Sequence, residues 1–497
     1  MPAGGPRVSP ASANRSADSI STDMLARRTG GQWHANDAAS AAVKSIEIDS
    51  RKCSDGALFV ALPGVQADGH DFIAAAAKRG ATAALVATPD TSCAMPQLVV
   101  GDVHTALNDL GIAGRTAHRA AGGKLAGITG SVGKTGSKEM LAHLLCRLAG
   151  PAGFVSSRAS FNNHLGVPLT LSMLPGTVAP AIQEMGMNAA GEISRLSRMA
   201  SPDVAVITCV ADSHAGFFES LADIATAKAE IFDGMDKDGI AVLNRDDAFF
   251  KDLAARAKAA GISDIMTFGR HEDAYFRLLD IKKAAAGQIV DASLSGTAVR
   301  FTLGMRNAHW ADNAMAVLAA VHTLGFDPVD AARYLDDFND LPGRGAVLSG
   351  AFHSRRITLI DDSYNAGPRS MQAALAGLHG TAPQILVLSD MLELGDWAAA
   401  AHTALAPPIM ALRPRVIITI GAEMSRMATN LPCLGGEHIA AATPDDAIAS
   451  LRKSVCNGDT VFIKGSLGSG AWRVARAVLD AFSQADPKIS GGANNAA

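Results

Sequence analysis

The stretch Leu125-Ala-Gly-Ile-Thr-Gly130-Ser-Val-Gly133-Lys134-Thr135-Gly136-Ser-Lys-Glu-Met-Leu141 decides the fold of this 497-residue chain. An apolar run leads into a glycine-rich turn, then Lys-Thr, then residues with helical character. A strand, a glycine-rich loop and a helix N-terminus in this order let backbone N–H groups surround phosphate oxygens. Lys134 would then reach the β- and γ-phosphates of a nucleotide, and the Thr135 hydroxyl would bind Mg²⁺. The pattern is the short form GxxGKT; the alternative is a strand–helix turn with a surface lysine.

Other short apolar runs along the chain predict buried strands, and most are followed by a longer stretch of helical character. That alternation is typical of parallel sheets covered by helices, so we predict an α/β fold. Residues 274–303 alternate more strongly between apolar and polar side chains and predict an antiparallel insertion. Besides 125–129, the predicted strands are residues 81–87, 204–208, 240–243, 357–360, 385–388, 416–420 and 460–463.

The length suggests about three domains at roughly 150 residues each. Glycine and proline turns mark two boundaries, at Gly122-Gly123 and at Pro342-Gly343-Arg344-Gly345. Both chain ends are rich in small and polar residues, which favours disorder. We predict a disordered tail over residues 1–23, domains over 24–122, 123–342 and 343–484, and a second tail over 485–497.

Composition excludes several classes of function. The net charge of −4 and the aromatic content of 5% argue against a nucleic-acid binder that relies on a basic surface or on base stacking. The six cysteines are scattered without a CxxC pair, so neither a zinc ribbon nor a redox motif is expected. No apolar run is long enough for a transmembrane helix, and the first residues lack the apolar core of a secretory signal. We therefore expect a cytoplasmic protein.

Polar residues that follow predicted strands are candidates for the functional site. Glu184 and His214 each follow an apolar run, and ligands of open α/β sheets lie at the carboxyl ends of strands. Both side chains can bind Mg²⁺ or Mn²⁺. Asn162-Asn163 precedes a Gly/Pro turn and, taken alone, is typical of an Asx turn. Lys228 lies on a predicted helix, where a solvent-facing lysine is the ordinary interpretation.

Taken together, these segments resemble the Mur ligases, ATP-dependent amide ligases that build the peptide of peptidoglycan. The resemblance extends over about residues 25–480 and is strongest to the MurF type. It includes Asp49-Ser50-Arg51 in the first block and Lys464-Gly465-Ser466 in the third. Its most specific string is Asp362-Ser-Tyr364-Asn365-Ala366-Gly367-Pro368, which separates the MurF type from the MurE type.

The resemblance implies a fold of three domains. The first would be an α/β domain that binds the uridine nucleotide, and the second a central ATPase-like parallel sheet with helices on both faces. The third would be a Rossmann-like α/β domain that receives the amino substrate. A hinge near residues 341–345 would let the third domain close over the second.

The resemblance also implies a role for individual residues. Lys134, Lys228, His214 and Glu184 would be catalytic, and a carbamylated Lys228 would join Thr135, Glu184 and His214 around Mg²⁺. Asp361 or its neighbour Asp362 would contact the nucleotide. The implied ATP-binding residues are Gly130, Ser131, Val132, Gly133, Lys134, Thr135, Gly136, Asn313, Arg344 and Asp361; the UDP substrate would contact Ser50, Arg51, Asn162 and Asn163, and the amino substrate Tyr364 and Asn365.

The implied activity joins D-alanyl-D-alanine to UDP-N-acetylmuramoyl-tripeptide, the substrate called UDP-tripeptide below. ATP would first convert its carboxylate to an acyl phosphate, with Mg²⁺ as cofactor, and the product would be the UDP-pentapeptide precursor of peptidoglycan. The expected partners are these small molecules, with no nucleic acid and no membrane insertion, and the expected state is a monomer.

Several positions depart from the family pattern, and they keep alternatives open. Most lie in the third block, so a Mur-type ligase with a different amino substrate is the first alternative. A P-loop NTPase that acts as a switch would explain the glycine-rich loop alone. A ligase fold that binds without catalysis is the third. The departing positions are Ala189, Asn307, Gly367, Ser389 and Gly470-Ala-Trp472.

Overall fold

The computed structural model describes residues 19–34, 42–64, 67–158, 161–211, 218, 220–284, 287–338, 341–378, 383–431 and 436–485. Within these ranges the strands form three α/β sheets, one in each predicted block, and a two-stranded pair near the N-terminus. The predicted α/β fold is confirmed, and each strand predicted above is present with its ends shifted by at most a few residues. In the same ranges, no helix combines the length and apolar content needed to cross a membrane.

The first sheet has the strand order β2-β7-β6-β5-β4, and only its β2–β7 edge is antiparallel. Apolar residues of β4–β7 are buried on both of its faces, as expected for strands of a covered parallel sheet. Its elements, with the two-stranded pair of β1 and β3, are β1 Ile20–Ser21, α1 Thr22–Thr29, β2 Gln32–His34, β3 Ala42–Val43, β4 Ser45–Glu47, β5 Ala57–Val60, α2 Ile73–Lys78, β6 Ala83–Val86, β7 Gln97–Val99 and α3 Val103–Ala120.

The predicted disordered tail extends too far, because ordered structure begins before residue 23. Ile20 is buried and pairs with Val43, and α1 begins at Thr22. The Ser21 hydroxyl accepts a hydrogen bond from the Met24 backbone N–H and so caps this helix. At the end of the predicted tail, Ser21 and Thr22 therefore form a helix N-terminus.

The second sheet has the order β16-β15-β14-β13-β12-β11-β8-β10-β9. Strands β8 to β14 run parallel to one another. Strands β14, β15 and β16 form an antiparallel meander, which confirms the predicted insertion. Its elements are β8 Leu125–Thr129, α4 Lys134–Ala149, β9 Val155–Ser156, α5 Gly166–Ser172, β10 Ala181–Glu184, α6 Glu192–Ala200, β11 Val204–Ile207, α7 Leu221–Ala229, β12 Ile240–Asn244, α8 Phe250–Ala259, β13 Asp264–Gly269, β14 Phe276–Ala284, β15 Gly287–Leu294, β16 Thr297–Leu303, α9 His309–Thr323 and α10 Pro328–Ala332.

The third sheet has the order β17-β18-β22-β19-β20-β21, with β17 alone antiparallel. Helices α15 and α16 cover one face, and α11, α13 and α14 cover the other. This is the doubly wound arrangement expected of a Rossmann-like domain. Its elements are β17 Ala346–Phe352, β18 Arg355–Asp362, α11 Pro368–Gly377, β19 Ile385–Ser389, α12 Ala398–Thr403, α13 Ala406–Leu412, β20 Val416–Ile420, α14 Ala422–Thr429, β21 Glu437–Ala441, α15 Pro444–Ser454, β22 Thr460–Lys464 and α16 Ala471–Ala485.

Candidate functional site

The glycine-rich loop connects β8 to α4, as the sequence predicts. Gly133 has a φ of +88°, and a Cβ on it would lie 2.7 Å from the Asn313 side-chain oxygen. Glycine is therefore required there by both the backbone conformation and the close approach of α9. This contact also places the predicted ATP-binding residue Asn313 directly against the loop.

Residues at the carboxyl end of β11 brace the same loop. The Ser131 backbone N–H donates to the Cys209 carbonyl at 2.8 Å, and the Thr208 hydroxyl donates to the Val132 carbonyl at 2.5 Å. The Cys209 sulfur lies 3.7 Å from the Val132 carbonyl oxygen. Sequence reasoning missed these two residues, although their position after a strand beside β8 was a usable signal.

Lys134 begins α4, and its ammonium donates to the carbonyls of Gly130 at 2.5 Å and Ser131 at 3.4 Å. The enclosing protein lowers its pKa, and the nearby Arg344 guanidinium lowers it further, whereas Glu184 opposes the shift. Arg344 comes from the third sheet, so the structure brings these two predicted ATP-binding cations together. Two adjacent cations favour a polyanionic ligand.

Glu184 ends β10 and connects several of the predicted site residues. One carboxylate oxygen, Oε1, accepts from the Thr135 hydroxyl at 3.0 Å and from the Asn162 amide nitrogen at 2.7 Å. The other oxygen, Oε2, is buried and has no hydrogen-bond partner within the described residues. A buried carboxylate oxygen is costly unless a donor or a cation satisfies it. Oxygen ligands from Thr135 and Glu184 therefore fit Mg²⁺.

The rest of the predicted metal set is less complete. Across the described ranges, no three His, Cys, Asp or Glu side chains gather in a metal-binding arrangement. His214, which the sequence adds to this set, lies outside the described residues. The fit to Mg²⁺ therefore depends on Thr135 and on the unpartnered oxygen of Glu184.

Lys228 lies near the end of α7 and is buried, with 1% of its surface exposed. The interpretation of this lysine as a solvent-facing residue is therefore wrong. Burial and the nearby Lys134 ammonium hold its pKa well below the ordinary value. The amine is consequently much closer to its neutral, nucleophilic form than an exposed lysine.

The two adjacent asparagines have different surroundings. Asn162 turns toward Glu184, whereas Asn163 is exposed and its side-chain oxygen accepts from the Leu165 and Gly166 backbone N–H groups. Those bonds form an Asx turn just before α5, so the Asx-turn interpretation holds for Asn163.

In the third sheet, the turn before β17 is attached to the end of β18. The Asp361 carboxylate accepts from the Gly343 N–H at 2.9 Å and from the Ser363 hydroxyl at 2.6 Å. Burial raises the pKa of Asp361, and these hydrogen bonds oppose the rise. The Arg344 guanidinium, on this turn, stacks 4.1 Å from the centre of the Tyr364 ring. Asp361 thus positions the segment that carries Arg344.

The remaining predicted residues of the third sheet surround β22. Lys464 forms an ion pair with Asp362 at 2.8 Å and donates to the carbonyl of Asn365 at 3.0 Å. Asn365 itself is exposed, and Tyr364 is half-buried at the second sheet, where Glu184 contributes to its electrostatics. The Lys464 pairing was not predicted, because its partner lies about a hundred residues earlier in the chain.

The predicted UDP contacts of the first sheet lie outside this cluster. Ser50 and Arg51 form a short turn after β4, and the Arg51 guanidinium binds both carboxylate oxygens of Asp49 at 2.9 Å. Arg51 lowers the pKa of Asp49, and 82% of the arginine side chain is exposed.

Comparisons with known proteins agree with this geometry. Three family models match the chain: "Mur ligase family, catalytic domain" over residues 42–120, "Mur ligase middle domain" over 128–321 and "Mur ligase, glutamate ligase domain" over 343–467. A relative from Bacillus subtilis, UDP-N-acetylmuramoyl-tripeptide–D-alanyl-D-alanine ligase, is 31% identical over 88% of this chain and 93% of its own length.

Solved structures give the same result. MurF from Acinetobacter baumannii superposes with a TM-score of 0.78 and 28% identity, covering 94% of this chain and all of that one. MurF ligase from Thermotoga maritima in complex with ADP superposes with a TM-score of 0.70 and 25% identity, covering 90% of this chain and 98% of that one.

Proposed function

The chain belongs to the Mur ligase family, MurF type, and we propose that it joins D-alanyl-D-alanine to UDP-tripeptide at the expense of ATP. The product is the UDP-pentapeptide precursor of peptidoglycan. The observation that carries this proposal is that residues of two sheets lie within electrostatic range of one another, with Lys134 and Glu184 on one side and Arg344 and Tyr364 on the other. A ligase that joins two substrates across ATP needs residues from both sides of one cleft.

In the first step the UDP-tripeptide carboxylate attacks the γ-phosphorus of ATP, giving an acyl phosphate and ADP. Both reactants are anions, so the protein must supply positive charge where they meet. Lys134 and Arg344 meet that requirement, and the N–H groups at the start of α4 add partial positive charge. The protein otherwise contributes positioning, as is general in phosphoryl transfer.

Mg²⁺ is the proposed cofactor, with Thr135, Glu184 and His214 as its protein ligands. Bound there, it would neutralise phosphate charge and orient the γ-phosphate. The unpartnered Oε2 of Glu184 supports this assignment.

Lys228 is the proposed carbamylation site. A neutral lysine amine adds to CO2, forming a C–N bond and releasing one proton, which leaves an anionic carbamate. Burial and the low pKa of Lys228 favour the neutral amine that this addition needs. The carbamate would give the cleft a further oxygen ligand beside Lys134.

In the second step the D-alanyl-D-alanine amine attacks the acyl carbon, the amide bond forms and phosphate leaves. Tyr364 and Asn365 are the proposed contacts for this dipeptide. The acyl phosphate must be kept from water, so the third domain closes over the second. The proposed hinge lies near residues 341–345, next to β18, where the N–H groups of Gly343 and Gly345 are bonded to Asp361.

The first domain would hold the UDP part of the substrate through Ser50 and Arg51. We place the domain boundaries at residues 122–123 and 342–343, where the connections between the sheets lie. The enzyme is proposed to act as a cytoplasmic monomer, since its substrates ATP and UDP-tripeptide are intracellular metabolites.

The experiment measures phosphate release from ATP with UDP-tripeptide, in the presence and absence of D-alanyl-D-alanine. We expect release to require both, with a UDP-pentapeptide product identified by mass, and Lys134→Ala to abolish it. Release that needs UDP-tripeptide but not this dipeptide would contradict the proposed amino substrate. Release that needs neither would contradict the ligase assignment altogether.

A further inference from the structure

We propose that Asn162 is a positioning residue for the metal-binding carboxylate of Glu184, rather than a contact for the UDP substrate. The inference rests on the proposed function in one respect, the binding of a divalent cation at Glu184. It assigns the two adjacent asparagines to different tasks, although sequence alone treats them alike.

The hydrogen bonds of Glu184 are divided unequally between its two oxygens. Both donors, the Thr135 hydroxyl and the Asn162 amide, bind Oε1, and Oε2 has no partner in the described part of the chain. Two donors on one oxygen fix the rotation of the carboxylate group. They also leave the lone pairs of the other oxygen for a cation. Groups that orient a metal-binding side chain in this way strengthen metal binding.

The segment that carries Asn162 is attached to β10 on both sides of Glu184. The Gln183 amide donates to the Phe161 carbonyl at 2.9 Å, and the Gly186 N–H donates to the Asn162 carbonyl at 2.8 Å. A Cβ on Gly186 would lie 3.0 Å from the Asn162 side chain, so glycine gives the amide room. The Asn162 amide and the Glu184 carboxylate are thus held together by the backbone as well as by their own bond.

Asn163 provides the matched control. It is the next residue, it has the same amide, and its side-chain oxygen accepts from the Leu165 and Gly166 backbone N–H groups instead of contacting Glu184. Truncation of Asn163 removes the hydrogen bonds of the turn before α5, whose loss costs about 1 kcal/mol of stability. This truncation should not alter the orientation of the Glu184 carboxylate.

The test measures Mn²⁺ affinity in the presence of ADP, by the electron paramagnetic resonance of free Mn²⁺, and UDP-tripeptide affinity by calorimetry. We expect Asn162→Ala to weaken Mn²⁺ binding about 10- to 100-fold. Its UDP-tripeptide affinity should stay within about twofold of wild type. Asn163→Ala should leave Mn²⁺ affinity within about twofold and lower the melting temperature slightly.

Unchanged Mn²⁺ affinity in a folded Asn162→Ala variant would overturn the proposal, whether or not UDP-tripeptide binding is lost. If this variant does not fold, Asn162→Gln replaces it, because the extra methylene displaces the amide from Oε1. Wild-type Mn²⁺ affinity in the Asn162→Gln variant would also overturn the proposal. Failure of the proposed function would be detected separately, because the wild-type protein would then form no amide product.

Discussion

The two junctions between domains are built from different interactions. At the first, α3 packs on α5 and α6, and Leu169 of α5 belongs to the apolar core of the first sheet. At the second, none of the apolar clusters of the described residues spans the boundary. Its contacts are polar, among them the approach of Asn307 to Gly345 and Gly377.

The charged residues at the two junctions also differ. Arg115 of α3 is 2% exposed and donates to the carbonyls of Ala200 and Ser201 and to the Asp203 carboxylate at 2.6 Å. At the second junction Lys134 and Arg344 carry the same charge, and Arg344 lowers the pKa of Lys134. The first junction is therefore stable by itself, whereas the second gains stability from an anionic ligand. This difference suits an enzyme that holds one substrate on a fixed domain and closes another domain over it.

The largest expected effect is at Arg344. Arg344→Ala should lower kcat about 10³-fold, because a cation that stabilises phosphoryl transfer is removed. Its melting temperature should stay within about 2 °C, since no shared core is lost. Arg369→Ala, an exposed arginine of α11, is the control. If Arg344→Ala lost stability as well as activity to a comparable degree, the proposed difference between the two junctions would be wrong.

Arg115→Ala should show the opposite pattern. Removal of one partner from a buried pair costs about 3 kcal/mol or more of unfolding free energy. The folded Arg115→Ala variant, assayed at low temperature, should retain the kcat of the wild type. Urea unfolding measures the loss, and Arg119→Ala, a more exposed arginine on the same helix, should lose at most about 1 kcal/mol. Equal losses from the two variants would argue against a rigid first junction.

A pair of glycine substitutions compares the junctions directly. A Cβ on Gly114 would collide with the Leu171 carbonyl, whereas one on Gly377 would lie 3.2 Å from the Asn307 side-chain oxygen. Gly114→Ala should therefore cost roughly 1–3 kcal/mol of stability. Gly377→Ala should change stability by less than about 0.5 kcal/mol. Its effect should instead be a changed KM for the dipeptide. A larger stability loss from Gly377→Ala would reverse the assignment of the junctions.

The smallest expected effect on stability is at Lys228, inside the second domain. Its pKa is lower in the folded than in the unfolded chain, so the unfolded state binds the proton more tightly and folding is penalised below the ordinary lysine pKa. Lys228→Met should abolish turnover yet raise the melting temperature in CO2-free buffer. The gain should shrink as pH rises toward 10. Lys258→Met on the exposed surface of α8 is the control, and an unchanged or lower melting temperature for Lys228→Met would contradict the low pKa.

Local patterns allowed much of the fold to be predicted. The loop around Lys134 is contiguous, and its residues specify a strand, a turn and a helix start without help from the rest of the chain. The strand β13 was missed because several of its side chains are only half-buried, so its apolar signal is weak. The Lys228 interpretation failed for a related reason, since a lysine on a helix does not reveal which face is covered.

The sequence by itself determined the three α/β blocks, the glycine-rich loop between β8 and α4 and the residue types of the candidate site. These depend on periodicity, glycine conformations and side-chain chemistry, all of which are local. Only the tertiary structure decided that the Asn162 amide bonds Glu184 while the Asn163 oxygen bonds the backbone before α5, and that Lys228 is buried. It also decided which domain junction is fixed. Those outcomes depend on segments far apart in the chain, whose approach is set by packing and by the satisfaction of buried polar groups.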